Sequence, residues 1–168
     1  MNPVAGGCIN KRAMPDPSAS RQRIRCIYKE RKNMDRAERA AALHREGYNC
    51  CQAVACVFAD EVGLDESLLY KISEGFGAGM GTGKGVCGAI AGAGMLAGLV
   101  HSDGNTADPG NTKKFSTRAA GNMQRKFTEQ AKRLYCIDIK TGNNGQMFTS
   151  CDDCIKIAVR LAEEELGL

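Results

Sequence analysis

The chain has 168 residues, enough for one domain with a sizeable core, and combines twenty glycines and nine cysteines with few aromatics and no tryptophan. Its net charge of +4 is local: the first thirty-three residues hold eight basic and two acidic side chains, and the remainder holds fifteen basic and seventeen acidic. The part able to form a core is thus mildly acidic, which removes support for nucleic-acid binding. The longest uncharged stretch, Gly85 to Val100, is too short and too rich in glycine for membrane insertion, which needs roughly 20 apolar residues.

Residues 1–33 contain three of the four prolines and no sustained apolar periodicity. They read as a disordered extension or as a misassigned gene start, because Lys29-Glu30-Arg31 can be encoded by a ribosome-binding-like AAGGAGAGG shortly ahead of Met34. Asn10, Lys11 and Arg12 interrupt any signal-peptide core, so a cytoplasmic protein is expected. In that compartment an odd number of cysteines points to thiols, metal ligands or redox groups rather than structural disulfides.

Residues 34–168 read as one compact all-α domain, a bundle of about five to six helices. Asp35 caps a helix that runs through His44 to Glu46 and stops at Gly47. Asn49 caps the next, in which Cys51, Val54, Ala55, Phe58 and Val62 repeat at helical spacing until Gly63. Asp65 starts a short helix through Ile72, and Glu74 to Gly85 is a glycine-rich loop. Gly85 to His101 is a small-residue central helix. Its interior glycines Gly88, Gly92, Gly94 and Gly98 each cost about 1 kcal/mol relative to alanine, a loss that close approach of a neighbour must offset. A polar loop leads to a long helix over Thr112 to Tyr135, Thr141 to Gly145 is a turn, and a last helix covers Asp152 to Leu166.

Gly83-Lys84-Gly85-Val86-Cys87-Gly88 spells G-x-G-x-x-G, but that fingerprint works only between a strand and a helix, and Ser73-Glu74-Gly75-Phe76 is no strand. A P-loop fails as well, since Gly85 follows Lys84 where Ser or Thr is needed. The two histidines, His44 and His101, belong to no set of nucleophile, base and orienting acid.

The chemistry therefore falls to the cysteines. Cys56 reads as a small buried hydrophobe, and Cys51 shares the stripe of Val54 and Phe58. Cys50 sits in a first helical turn, where free N–H groups favour a thiolate. Cys151-Asp152-Asp153-Cys154 is a C-x-x-C without the βαβ context of thioredoxin or the second pair of a zinc ribbon, and spacing alone does not choose between its two thiols. Cys87 shares a small-residue face with Ala91, Gly94 and Gly98, which leaves room beside its sulfur.

Gly47-Tyr48-Asn49-Cys50, Gly75-Phe76-Gly77-Ala78-Gly79, Cys87-Gly88-Ala89-Ile90-Ala91-Gly92, Cys136, closing the long helix before Thr141-Gly142, and Cys151 ahead of Ile155 and Ala158 occur in the order of a known pattern. The sequence from Glu38 to Leu166 resembles the C-GCAxxG-C-C family of redox-active proteins. The resemblance matches Cys50, Cys87, Cys136 and Cys151 to the four family cysteines, selecting Cys50 over Cys51 and Cys151 over Cys154. Cys51 stands where the family has a small residue and Cys154 is an additional thiol, so both are possible substitute ligands. The family is similar to the iron–sulfur part of a dihaem cytochrome class. That likeness implies a [2Fe–2S] cluster on four cysteines, serving electron transfer or redox sensing with a redox partner. No C-x-x-C-H haem motif is present. A metal-free thiol–disulfide protein and a structural zinc module are the alternatives, and the small-residue helix suggests a homodimer.

Overall fold

The computed structural model describes residues 34–168, so both readings of residues 1–33, with Cys8 and Cys26, lie outside the described residues. Among these residues eight right-handed α-helices follow in order: α1 (Arg36–Arg45), α2 (Cys50–Cys56), α3 (Ala59–Val62), α4 (Glu66–Ser73), α5 (Gly88–His101), α6 (Lys113–Ala131), α7 (Cys136–Thr141) and α8 (Cys151–Leu166). The described residues form an all-α fold without strands, and none of their helices is long and apolar enough to cross a membrane.

Several helices begin on side-chain caps legible in the sequence. The Asp35 carboxylate accepts the Glu38 N–H at 3.2 Å and the Asp65 carboxylate that of Ser67 at 2.9 Å. Asn49 and Gln52 form a reciprocal capping box at the start of α2. The Ser150 hydroxyl accepts the Asp153 N–H at 3.1 Å and so opens α8 at Cys151, one residue earlier than expected.

Two expected helices divide, which raises the count above five or six. The helix from Asn49 breaks at Val57 and Phe58, where the Arg39 guanidinium takes the Val57 carbonyl. The long helix stops at Ala131, because Lys132 turns left-handed at φ 70°. Cys136, expected to close that helix, instead opens α7.

α5 and α8 form the centre: α5 packs on α2, α6 and α8, and α8 packs also on α1. Phe58, Leu69, Leu96, Met123, Phe127 and Ile155 are fully buried there. Each contributes about 1.5–3 kcal/mol by leaving water. Gly92 explains part of the glycine content of α5, since a Cβ there would lie 3.0 Å from the Cys51 carbonyl oxygen and 3.1 Å from Val54 Cβ. The expected close approach does not extend to Gly94 and Gly98. No atom lies within 4 Å of a Cβ placed at either, and the face they share with Ala91 is half-exposed.

Candidate functional site

Four cysteines stand at the starts of four different helices. Cys50, Cys136 and Cys151 are the first residues of α2, α7 and α8, and Cys87 is the residue that caps α5. The first turn of a helix leaves N–H groups without intrahelical partners; those of Ala89 and Ile90 act on Cys87, whereas those of Cys136 and Ile137 are taken by the Gly85 and Gly83 carbonyls. All six pairs formed by these four thiols interact electrostatically.

Backbone pairing assembles the site. The Cys87 N–H donates to the Leu134 carbonyl at 2.9 Å, that of Cys136 to Gly85 at 3.0 Å and that of Ile137 to Gly83 at 2.7 Å. This antiparallel contact, with a bridge between Val86 and Tyr135, holds the approach to α5 against the approach to α7. Between α4 and α5 lies a one-turn 3₁₀ helix (Glu74–Phe76), then the turn Gly77–Met80. In that turn Ala78, Gly79 and Met80 have φ of 50°, 61° and 59°. Left-handed backbone costs roughly 1–2 kcal/mol at each non-glycine residue, here Ala78 and Met80. The turn aims the Ala78 N–H at Cys50. It also brings Gly79 so close that a Cβ there would stand 2.7 Å from Cys136 Cβ. A Cβ at Gly88 would stand 2.6 Å from Cys50 Sγ. The glycine-rich loop and the start of α5 are therefore the material that lets backbone close around sulfur.

Burial pushes the Cys50 thiol up, opposed by the Ala78 N–H and reinforced by Cys87 and Cys151. The first-turn argument for a Cys50 thiolate is thus outweighed by desolvation in the metal-free chain. Burial likewise raises Cys136 and Cys151, with the Lys140 ammonium pulling both down. Cys87 behaves oppositely. Hydrogen bonding from the Cys154 thiol lowers it, with help, against burial, from the N–H groups of Ala89 and Ile90 and from Lys140. The sulfur makes no formal capping hydrogen bond, so these N–H groups act as dipoles facing it. Cys154, buried on α8, is correspondingly pushed up. Cys87 is itself buried, so the room expected along Ala91, Gly94 and Gly98 is occupied, at the sulfur, by Cys154 and the first turn of α5.

Cys51 is fully buried and pushed up to about 12, chiefly by burial, with Met95 Sδ at 3.7 Å. Cys56 is buried and also raised to about 12 by burial and Glu66, in keeping with a packing role. Lys140 was not legible as a site residue while Cys136 was placed at a helix end. Once Cys136 opens α7, Lys140 falls four residues on, on the same face. Among the described residues no three His, Cys, Asp or Glu side chains close to the spacing of a single metal ion.

A family model described as "Putative redox-active protein (C_GCAxxG_C_C)" matches residues 48–165. The chain belongs to this family. The C_GCAxxG_C_C match runs from Tyr48, two residues before Cys50, to Glu165 in α8, and so spans all four helix-start cysteines. No curated protein and no solved structure matches the chain.

Proposed function

We propose that this redox-active family member binds a [2Fe–2S] cluster through Cys50, Cys87, Cys136 and Cys151 and serves electron transfer or redox sensing. The observation that carries the reading is that four separate helix starts each present one cysteine to a common site. The donor set fits: thiolate is the soft ligand such clusters require, and four thiolates complete one. A cluster with two irons lets each pair of thiols serve its own metal, so the four need not close on one point. Bound there, it would supply a one-electron couple.

The chain's own residues supply the surroundings. Burial of Cys87 and Cys136 keeps water from the sulfurs. N–H groups of Ala78, Ala89 and Ile90 face Cys50 and Cys87 and offset thiolate charge. Lys140 is the cation that acts on Cys87, Cys136 and Cys151 together.

The Cys87–Cys154 contact favours a second reading, a metal-free thiol–disulfide protein, because a thiolate beside a protonated thiol is the arrangement for exchange. Anaerobic purification separates the readings. A brown protein with about two irons and two acid-labile sulfides per chain, bleached by chelator, supports the cluster. A colourless protein that loses two hydrogens on oxidation supports the dithiol, and a colourless protein with stoichiometric zinc supports a structural metal module.

A further inference from the structure

Charge is segregated within the described residues. Between Lys113 and Lys140 stand eight basic side chains and two acidic ones, Glu129 and Asp138, whereas the rest of the chain from Met34 onward holds seven basic and fifteen acidic. The first group therefore carries +6 and the second −8. Outside this segment most basic residues are neutralised: Arg36 by Glu61 and Glu163, Arg45 by Asp152, Lys156 by Glu38 and Arg160 by Asp35. Within it only Lys126 has ion pairs among the described residues, with Glu164 and Glu165.

Three of the charges without an ion pair lie along one face of α6, which they share with exposed Glu129, four residues after Arg125. Lys114, Arg118 and Arg125 fall at i, i+4 and i+11 of α6, are exposed, and point away from the buried Ala119, Met123, Phe127 and Ala131. Exposed Lys132 and Arg133 follow at the end of the helix, where the Arg133 guanidinium lies 4.6 Å over the Phe148 ring. The next residue, Leu134, accepts the Cys87 N–H, and Cys136 lies two residues beyond, flanked by Tyr135 and Ile137, which are 48% and 43% exposed. A basic face thus runs directly onto an apolar rim beside the cysteine site.

We propose that this face docks an acidic protein that exchanges electrons with the cysteine site, an inference that rests on reading that site as a redox centre. Complementary charge steers the encounter and fixes its orientation, while the apolar rim supplies a small contact next to the sulfurs. A protein partner suits the charge distribution better than a long polyanion or an anionic membrane. Those reward an uninterrupted basic surface, whereas here exposed Glu129 and Asp138 and the apolar Tyr135 and Ile137 stand among the basic residues, a mixture that the patch of one protein can match.

The test titrates the full-length isotope-labelled chain, with and without its iron, using an acidic flavodoxin as the probe and amide shifts as the readout. The predicted result is a set of shifts confined to the Lys113–Lys140 segment and the loops paired with it. Affinity should fall roughly tenfold or more between about 20 and 200 mM salt. It should fall comparably in the triple variant Lys114→Glu/Arg118→Glu/Arg125→Glu, and in the Gln counterpart by less. Exposed Lys71 on α4 serves as control, and Lys71→Glu should bind within about twofold of wild type. Circular dichroism confirms that each variant is folded. Absence of binding at low salt overturns the proposal, as does unchanged affinity in the triple variant, the result expected if the basic residues before Met34 carry the binding. Tighter binding to double-stranded DNA or to phosphatidylglycerol vesicles than to flavodoxin overturns it in favour of those partners. Docking to an iron-free protein that cannot be loaded with a cluster defeats the cluster reading and leaves the docking face standing. A cluster without docking does the reverse.

Discussion

Alanine at Gly88 and alanine at Gly94 should have opposite effects, although both are Gly→Ala changes in the same helix. At Gly94 an added Cβ has no atom within 4 Å, and the residue lies in the interior of α5. The substitution removes backbone freedom from the unfolded chain and should stabilise by about 0.4–1 kcal/mol. At Gly88 the same methyl would stand 2.6 Å from Cys50 Sγ, 2.8 Å from the Phe76 carbonyl oxygen and 3.2 Å from Gly77 Cα. The thiol can rotate, but the Phe76 and Gly77 backbone belongs to the segment that enters the left-handed turn and yields less. Overpacking of this kind costs about 1–3 kcal/mol, and Gly88, as the first helical residue, gains little propensity in return. Thermal unfolding of the metal-free proteins should therefore show Gly94→Ala melting about 1–4 °C higher than wild type and Gly88→Ala several degrees lower. Gly88→Ala should also alter the alkylation rate of Cys50, and Gly94→Ala should leave it unchanged. A Gly88→Ala protein that melts above wild type with Cys50 unaffected would refute the claim that this glycine exists to admit the sulfur.

Cys154→Ala removes the principal cause of the low Cys87 pKa, so the midpoint for Cys87 alkylation should move up towards the ordinary thiol value. Because the folded pKa lies below the ordinary thiol value, Cys87 ionisation stabilises the fold at higher pH. That contribution is fully present above the ordinary thiol value and lost as pH falls through the lowered one, and the variant should show less of this slope in urea unfolding across that range. Lys140→Gln removes the shared cation and should raise the Cys136 and Cys151 thiols further, slowing their alkylation at neutral pH, while Lys140→Arg should restore most of the rate. A chain beginning at Met34 should keep its helical circular dichroism and cooperative melting, because the described residues between Ala37 and Ala162 already form a contiguous buried cluster. A large loss of helix would show that the preceding segment packs.

The helix starts were legible because Asn49, Asp65 and Asp35 cap through contacts two or three residues away. The breaks were not, since their causes are distant or lack a residue signature. Arg39 takes the Val57 carbonyl from another helix, and Lys132 turns left-handed without a glycine to announce it. That second break hid the most about the site. With Cys136 placed at the end of a helix, neither its backbone pairing with Gly85 nor Lys140 on the following turn belonged to the cysteines. The C-x-x-C spacing pointed to Cys154 as a neighbour of Cys151, yet its thiol also reaches Cys87, a partner set by the packing of α8 on α5. Charge segregation was present in the sequence all along, but dividing the chain at Met34 averaged the basic Lys113–Lys140 segment with its acidic surroundings.

Iron and acid-labile sulfide per chain, measured anaerobically across single Cys→Ser variants, test the central claim most directly. Cys87→Ser and Cys136→Ser should lose the cluster, since neither has an adjacent thiol in sequence to replace it. Cys50→Ser and Cys151→Ser should retain a part, through Cys51 and Cys154, and Cys56→Ala should retain all of it. Full iron and sulfide in Cys87→Ser would contradict the account, leaving Cys87 as a small residue at a helix contact.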